Sequence, residues 1–139
     1  YDHDQIGWND RMPNINAALG LAQLENINAT LKVKKEIFQK YKKYLSDIQE
    51  IDVIQEPNNC RSNFWLITIR FNNENPLEAS LLRNKLLEKS HKMGIFLRPS
   101  WKPLHKLKPF LDCPKSDLEN VEDESHRLLN LPSSPKLLQ

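Results

Sequence analysis

Apolar residues at Ala17, Ala18, Leu19, Leu21, Ala22, Leu24 and Ile27 cover more than one face of a helix that starts at Ile15, with polar residues confined to Asn16, Gln23 and the ends. A helix of that kind has no wet side, so it needs protein around it. Asn14 is positioned to cap it and Pro13 stops it from extending backward. Ala17, Ala18, Gly20 and Ala22 are small enough for another backbone to approach, and Gly20 costs about 1 kcal/mol of helix propensity that such contact can offset. A 139-residue chain offers little to surround this helix, so the expected partner is another subunit or further sequence.

The pattern then changes. Leu31, Lys34, Ile37, Phe38, Tyr41, Tyr44, Leu45 and Ile48 recur at three and four residues, with Lys32, Lys35, Lys40, Lys42 and Lys43 largely between them, which predicts an amphipathic helix with a solvated lysine face. "IDVIQ" reads as a short strand. "FWLITIRF" is the strongest strand signal, with Trp65, Ile67, Ile69 and Phe71 on one face. Asn75 and Pro76 predict a helix start, Leu82, Leu86 and Met93 keep helical spacing, and Gly94 suits a left-handed end. "IFLRP" follows as a strand, "SWKPLHKLKPFLDCP" as a Pro-rich loop, and Ser116 with Glu119 as a capping box opening a last helix through Leu118, Val121, Ser125 and Leu128. The order of elements predicts one α+β domain, a small mixed or antiparallel sheet covered by helices.

Composition narrows the chemistry. Twenty Lys and Arg against eighteen Asp and Glu leave a formal charge of +2, without the basic excess of a dedicated nucleic-acid binder. Cys60 and Cys113 lack zinc or redox spacing and read as two thiols, buried or at the surface, in a reducing cytoplasm. No apolar run is long enough to cross a bilayer, and "YDHDQ" does not resemble a signal peptide. With glycine only at Gly7, Gly20 and Gly94 there is neither a dinucleotide fingerprint nor a phosphate-binding loop, and neither a nucleophile elbow nor a His-Glu-x-x-His run exists. His3, His91, His105 and His126 are scattered and no metal set is visible; His105, beside Trp101 and Lys102 in the Pro-rich loop, is the best candidate for ligand contact. Glu119, Glu122, Asp123 and Glu124 crowd the last helix's start, where its dipole accounts for them. No self-contained catalytic site is visible.

The stretch "GWNDRMPNINAALGLAQLE" closely resembles a segment of the DegT-type sugar aminotransferases, pyridoxal-phosphate enzymes that aminate nucleotide-linked keto-sugars. Gly7, Trp8, Asn9, Arg11, Met12, Ala17, Ala18, Gly20, Gln23 and Leu24 carry the match, while Asp10 stands where an aromatic is usual. "KMGIFLRPSWKPLHKLKPF" and "RLLNLPSSPKL" also look like that family's C-terminal region, in the same order, so the resemblance covers nearly the whole chain. It implies the C-terminal small domain of an aspartate-aminotransferase-like (fold type I) transferase, preceded by a long interdomain helical segment. Residues 1–30 would belong to the cofactor and dimer-interface region.

The resemblance further implies that Asn9 reaches the cofactor phosphate of the neighbouring subunit in a homodimer, although a turn Asn bonding its own backbone remains the alternative reading of the residue. Arg11 would support that phosphate or the substrate, or pair with Asp10. Trp101, Lys102 and His105 would contact the sugar nucleotide. The Schiff-base lysine and the Asp that pairs with the cofactor's pyridine nitrogen belong to a large domain this chain lacks, since none of its lysines has the family's Ser-containing, Gly-followed context. The chain begins without Met, as if cut from something longer, and is expected to be inactive alone, whether as a cloned or proteolysed fragment or a truncated gene product. For the complete enzyme, the implied reaction is amino transfer, commonly from glutamate, in amino-sugar or surface-polysaccharide biosynthesis. "MPNINAALGLAQLE" is most similar to the legionaminic-acid branch. The rival reading is a non-catalytic homodimeric domain that binds a partner or a carbohydrate.

Overall fold

The structure, a computed structural model, describes residues 3–8 and 10–138. Helix α1 spans Asn14–Glu25 and α2 spans Ile27–Leu45, joined at Asn26 with almost no break. Pro13, extended at φ −62 and ψ 152, occupies the cap position of α1, and its carbonyl accepts from Ala17 N at 3.0 Å. Asn14 therefore lies inside the first turn and makes no side-chain cap, contrary to the sequence expectation. Every residue of α1 is exposed, Ile15 to 78%, and a Cβ at Gly20 would meet nothing within 4 Å. The helix with no wet side is not enclosed by its own chain.

Helix α2 turns inward at Ile37 and Phe38, which are buried, while Tyr44 in its last turn and Ile48 beyond its end at Leu45 are exposed. Tyr41 Oη donates to Pro132 O at 3.1 Å, and burial pushes its phenol up from the usual range, keeping it a neutral donor. Lys34 Nζ donates to Ser133 O at 2.8 Å and Phe64 O at 3.4 Å, with burial pushing its ammonium down. These bonds latch α2 to the chain's last segment.

The four-stranded sheet runs β1 (Ile51–Val53), β2 (Ile67–Phe71), β4 (Leu128–Leu131), β3 (Arg98–Pro99), antiparallel throughout. In β2, Ile67, Ile69 and Phe71 are buried in alternation, and the register sets Ile67 opposite Leu131 and Ile69 opposite Leu129. The expected start at Phe64 fails: Phe64 has φ 50, a left-handed backbone that ends the alternation, and Trp65 is exposed rather than inward. The last helix, expected to run through Leu128, ends at Arg127, and "LLNL", which follows it without a turn residue, forms strand β4 between β2 and β3 with Leu129 fully buried.

Helix α3 (Pro76–Lys92) starts as expected, Asn75 Oδ1 accepting from Leu77 N at 2.9 Å with Pro76 in the first turn. It buries Ala79 and Ser90 rather than Leu82 and Leu86, which remain exposed. Ala79 joins Ile69, Phe71, Leu97 and Leu129 in one core cluster; Ile37, Phe38, Phe64 and Ile67 form the second, beneath α2. Gly94 at φ +76 ends α3: its N–H reaches His91 O at 3.0 Å and Ile95 N reaches Ser90 O at 2.9 Å, the paired bonds of a Schellman motif. Those bonds hold Ile95 out of the sheet, so β3 is two residues rather than five, and Pro99, which cannot donate, sits on the sheet edge.

The Pro-rich loop contains two 3-10 turns, Leu104–Lys106 and Lys108–Phe110. Helix α4 is Glu119–Arg127, and its expected capping box is absent: Asp117 Oδ1, not Ser116, accepts from Glu119 N at 3.0 Å. The dipole is not the whole account of its acids. Glu124 takes a forked pair from Arg70 at 2.7 to 2.9 Å, and Asp123 accepts from Arg127 Nε at 2.9 Å. Arg127, only 5% exposed, also donates to Asn73 O and Glu74 O, tying α4 to the loop before α3.

Candidate functional site

A cleft of about 600 Å³ opens where the β3 edge meets α3 and the end of α4. Its charged and titratable lining consists of Arg83, His91, Arg98, Lys102, Lys106 and His126; neither Asp nor Glu lines it. A concave surface with one sign of charge concentrates the opposite sign, so the cleft favours an anion. The frame is fixed by bonds to main-chain oxygens. Arg83 Nη1 donates to Ser125 O at 2.8 Å, bridging α3 and α4, and burial pushes its guanidinium down without discharging it. His91 Nε2 lies 2.9 Å from Leu97 O, so that nitrogen carries the proton. Asn130, buried in β4, links Thr68 at 2.8 Å to Pro99 O at 3.5 Å beneath the cleft.

The structure brings Trp101 and Lys102 together in this lining and leaves His105 out of it. His105 lies in a separate pocket with Leu104, Phe110 and Leu118, its Nε2 2.9 Å from Glu122 Oε1. Lys106 Nζ donates to the other carboxylate oxygen at 3.0 Å, and the Glu122 carboxyl is held below its usual range by Lys106 first and His105 second. Glu122 thus pins the first 3-10 turn to α4. Asn9, the residue matched to phosphate contact, lies outside the described residues. Arg11 and Asp10 are both exposed, and no ion pair between them is among those of the described residues.

One residue beside the cleft escaped the sequence reading. Trp65 is 61% exposed, and its ring centroid lies 5.8 Å from that of Trp101, itself 49% exposed, at an interplanar angle of 39°. The signal that could have found it is the break in alternation after Phe64, which sequence alone does not reveal. Cys60 and Cys113 are free and exposed. Among the described residues, no group of three His, Cys, Asp or Glu is placed to hold a metal, and no helix is long and apolar enough to cross a membrane.

The sequence profile described as the DegT/DnrJ/EryC1/StrS aminotransferase family matches residues 1–139. The GDP-perosamine synthase of Escherichia coli O157:H7 is 36% identical over 137 residues, covering 99% of this chain and 35% of that protein. The GDP-perosamine synthase of Vibrio cholerae is 32% identical over 138 residues, covering 99% of this chain and 36% of that protein. The chain therefore spans about a third of the length of the curated relatives it matches. Among solved structures, a DegT DnrJ EryC1 StrS aminotransferase from Brucella abortus superposes with a TM-score of 0.75 at 26% identity, over 99% of this chain and 35% of that one.

Proposed function

The chain belongs to the DegT/DnrJ/EryC1/StrS aminotransferase family, and on that premise we propose that it is the C-terminal part of a pyridoxal phosphate-dependent sugar aminotransferase. The complete protein transfers an amino group, commonly from glutamate, to the keto carbon of a nucleotide-linked hexose, and works in the cytoplasm as a homodimer. Residues 1–139 supply the small domain, with 1–30 in the cofactor and dimer-interface region; the large domain lies outside them. The observation that carries this reading is α1, an apolar helix with no buried residue, in a chain whose family membership runs across 1–139.

Pyridoxal phosphate, when bound, would supply the electron sink for carbanion chemistry at the carbon that bears the transferred amino group. The described residues fit a supporting role toward it. Arg11, which is exposed, presents a fork of donors suited to phosphate. Asn9 adds two amide donors to the neighbouring subunit's phosphate without adding charge. Trp101 and Lys102 contact the acceptor, whose diphosphate meets the cation-lined cleft. His105 acts on the same loop from behind, through Glu122. Lys34, the lysine whose ammonium burial pushes down, is bound to two main-chain oxygens and serves structure.

The test is amination of nucleotide-linked keto-sugars by the complete protein with glutamate and pyridoxal phosphate, beside the 139-residue chain alone. Turnover by the complete protein and none by the chain is expected. Asn9→Ala should lower the cofactor retained per subunit after dialysis. A folded complete protein that neither retains the cofactor nor aminates any such sugar overturns the reading.

A further inference from the structure

The larger cleft adjoins a smaller one of about 250 Å³, and the two share Leu66, Arg98 and Asn130 in their linings. Trp101 lines the larger and Trp65 the smaller, so the aromatic pair joins the two spaces. Trp65 is out of place for its sequence. It shares parity with Ile67, Ile69 and Phe71, all buried, and a strand continued backward from Ile67 would carry it into the core. Instead, Phe64 adopts φ 50, a conformation a bulky residue rarely takes, and its own ring enters the core 4.9 Å from that of Phe38. The reversal turns Trp65 outward. Both ends of that residue's backbone are then held: its N–H donates to Asn63 Oδ1 at 3.0 Å and its carbonyl accepts from Ser133 Oγ at 2.6 Å. A strained backbone that persists because its surroundings fix it, and that presents a large ring beside an anion-attracting cleft, is the pattern of a preorganised binding surface.

We infer that Trp65 and Trp101 form a stacking platform for the base of a nucleoside diphosphate whose phosphates lie along Arg98 and Lys102. The inference rests on the reading above, in which the amino acceptor is nucleotide-linked, and adds to it the residue that grips the nucleotide's base. Stacking suits a base because every base offers a π-face, and charge-assisted bonds suit the diphosphate. A phosphorylated ligand without a base would use the cations and leave Trp65 idle. That difference provides the test.

Binding of GDP, dTDP, UDP and inorganic pyrophosphate to the complete, cofactor-loaded enzyme is measured by calorimetry for the wild type, Trp65→Ala, Trp65→Phe and Trp101→Ala. At least one nucleoside diphosphate should bind, Trp65→Ala and Trp101→Ala should each weaken it roughly 5- to 100-fold, and Trp65→Phe should keep most of the affinity. Pyrophosphate binding should be the same in Trp65→Ala as in the wild type. The platform is overturned if none of the three nucleotides binds, if both alanine variants bind them as the wild type does, or if pyrophosphate affinity falls in step with nucleotide affinity. Nucleotide binding that depends on Trp65, in an enzyme that aminates no keto-sugar, leaves the platform standing and removes the aminotransferase reading. Amination with an unchanged KM in both alanine variants does the reverse.

Discussion

At Gly94 the backbone stands at φ +76 and an added Cβ would meet nothing within 4 Å, so the cost of a side chain there is conformational alone. Gly94→Ala should destabilise the fold by about 1–2 kcal/mol through strain in the Schellman end of α3. A urea midpoint equal to the wild type's would show that the left-handed end is not maintained in solution. Glu122 gives a second prediction, in pH. Its carboxyl is held below the ordinary value near 4.5 by Lys106 and His105, so its folded pKa is depressed. A depressed carboxylate contributes stability above its unfolded value and loses that contribution as pH falls through the folded one. Glu122→Gln should therefore melt below the wild type near neutral pH, with the gap closing on acidification below about pH 4. A gap independent of pH would contradict the tether.

The elements show which parts of the fold local pattern can specify. Asn75, Pro76 and Gly94 act within a few residues of themselves, and the boundaries of α3 are where they indicate. Helical spacing alone does not say which residues of that helix are buried: Leu82 and Leu86, which keep the spacing, are exposed, while Ala79 packs in one cluster with Phe71 and Leu129, a tertiary requirement with no local signature. Strand β4 was invisible for a related reason. Its four residues follow Arg127 directly, and only pairing on both sides with β2 and β3 makes them a strand. In the candidate site, Trp101 and Lys102 were legible from the Pro-rich loop, whereas the displacement of Trp65 depends on one backbone angle at Phe64. Leu129→Ala should cost roughly 2–5 kcal/mol, and Leu82→Ala, though more conspicuous in the helical pattern, should stay within about 0.5 kcal/mol. Equal losses in denaturant melts would mean that the burial assigned to β4 and α3 is wrong.

Across the whole molecule, two cores close beneath α2 and α3 while α1 contributes no buried residue to either. A 12-residue helix with no side-chain cap and no buried face is marginal in water by itself. Its apolar circumference and its small residues at Ala17, Ala18 and Gly20 make sense once other protein covers it, as the proposed large domain and second subunit would. Leu19→Asp should leave the melting of the 139-residue chain within about 0.5 kcal/mol of the wild type, because Leu19 touches neither core, while disrupting assembly of the complete enzyme on a sizing column. The most direct test is amide hydrogen exchange along 14–25, compared between this chain alone and the complete protein. The account predicts rapid exchange in the chain and strong protection in the complete protein; equal exchange in both would show that nothing outside these residues encloses α1.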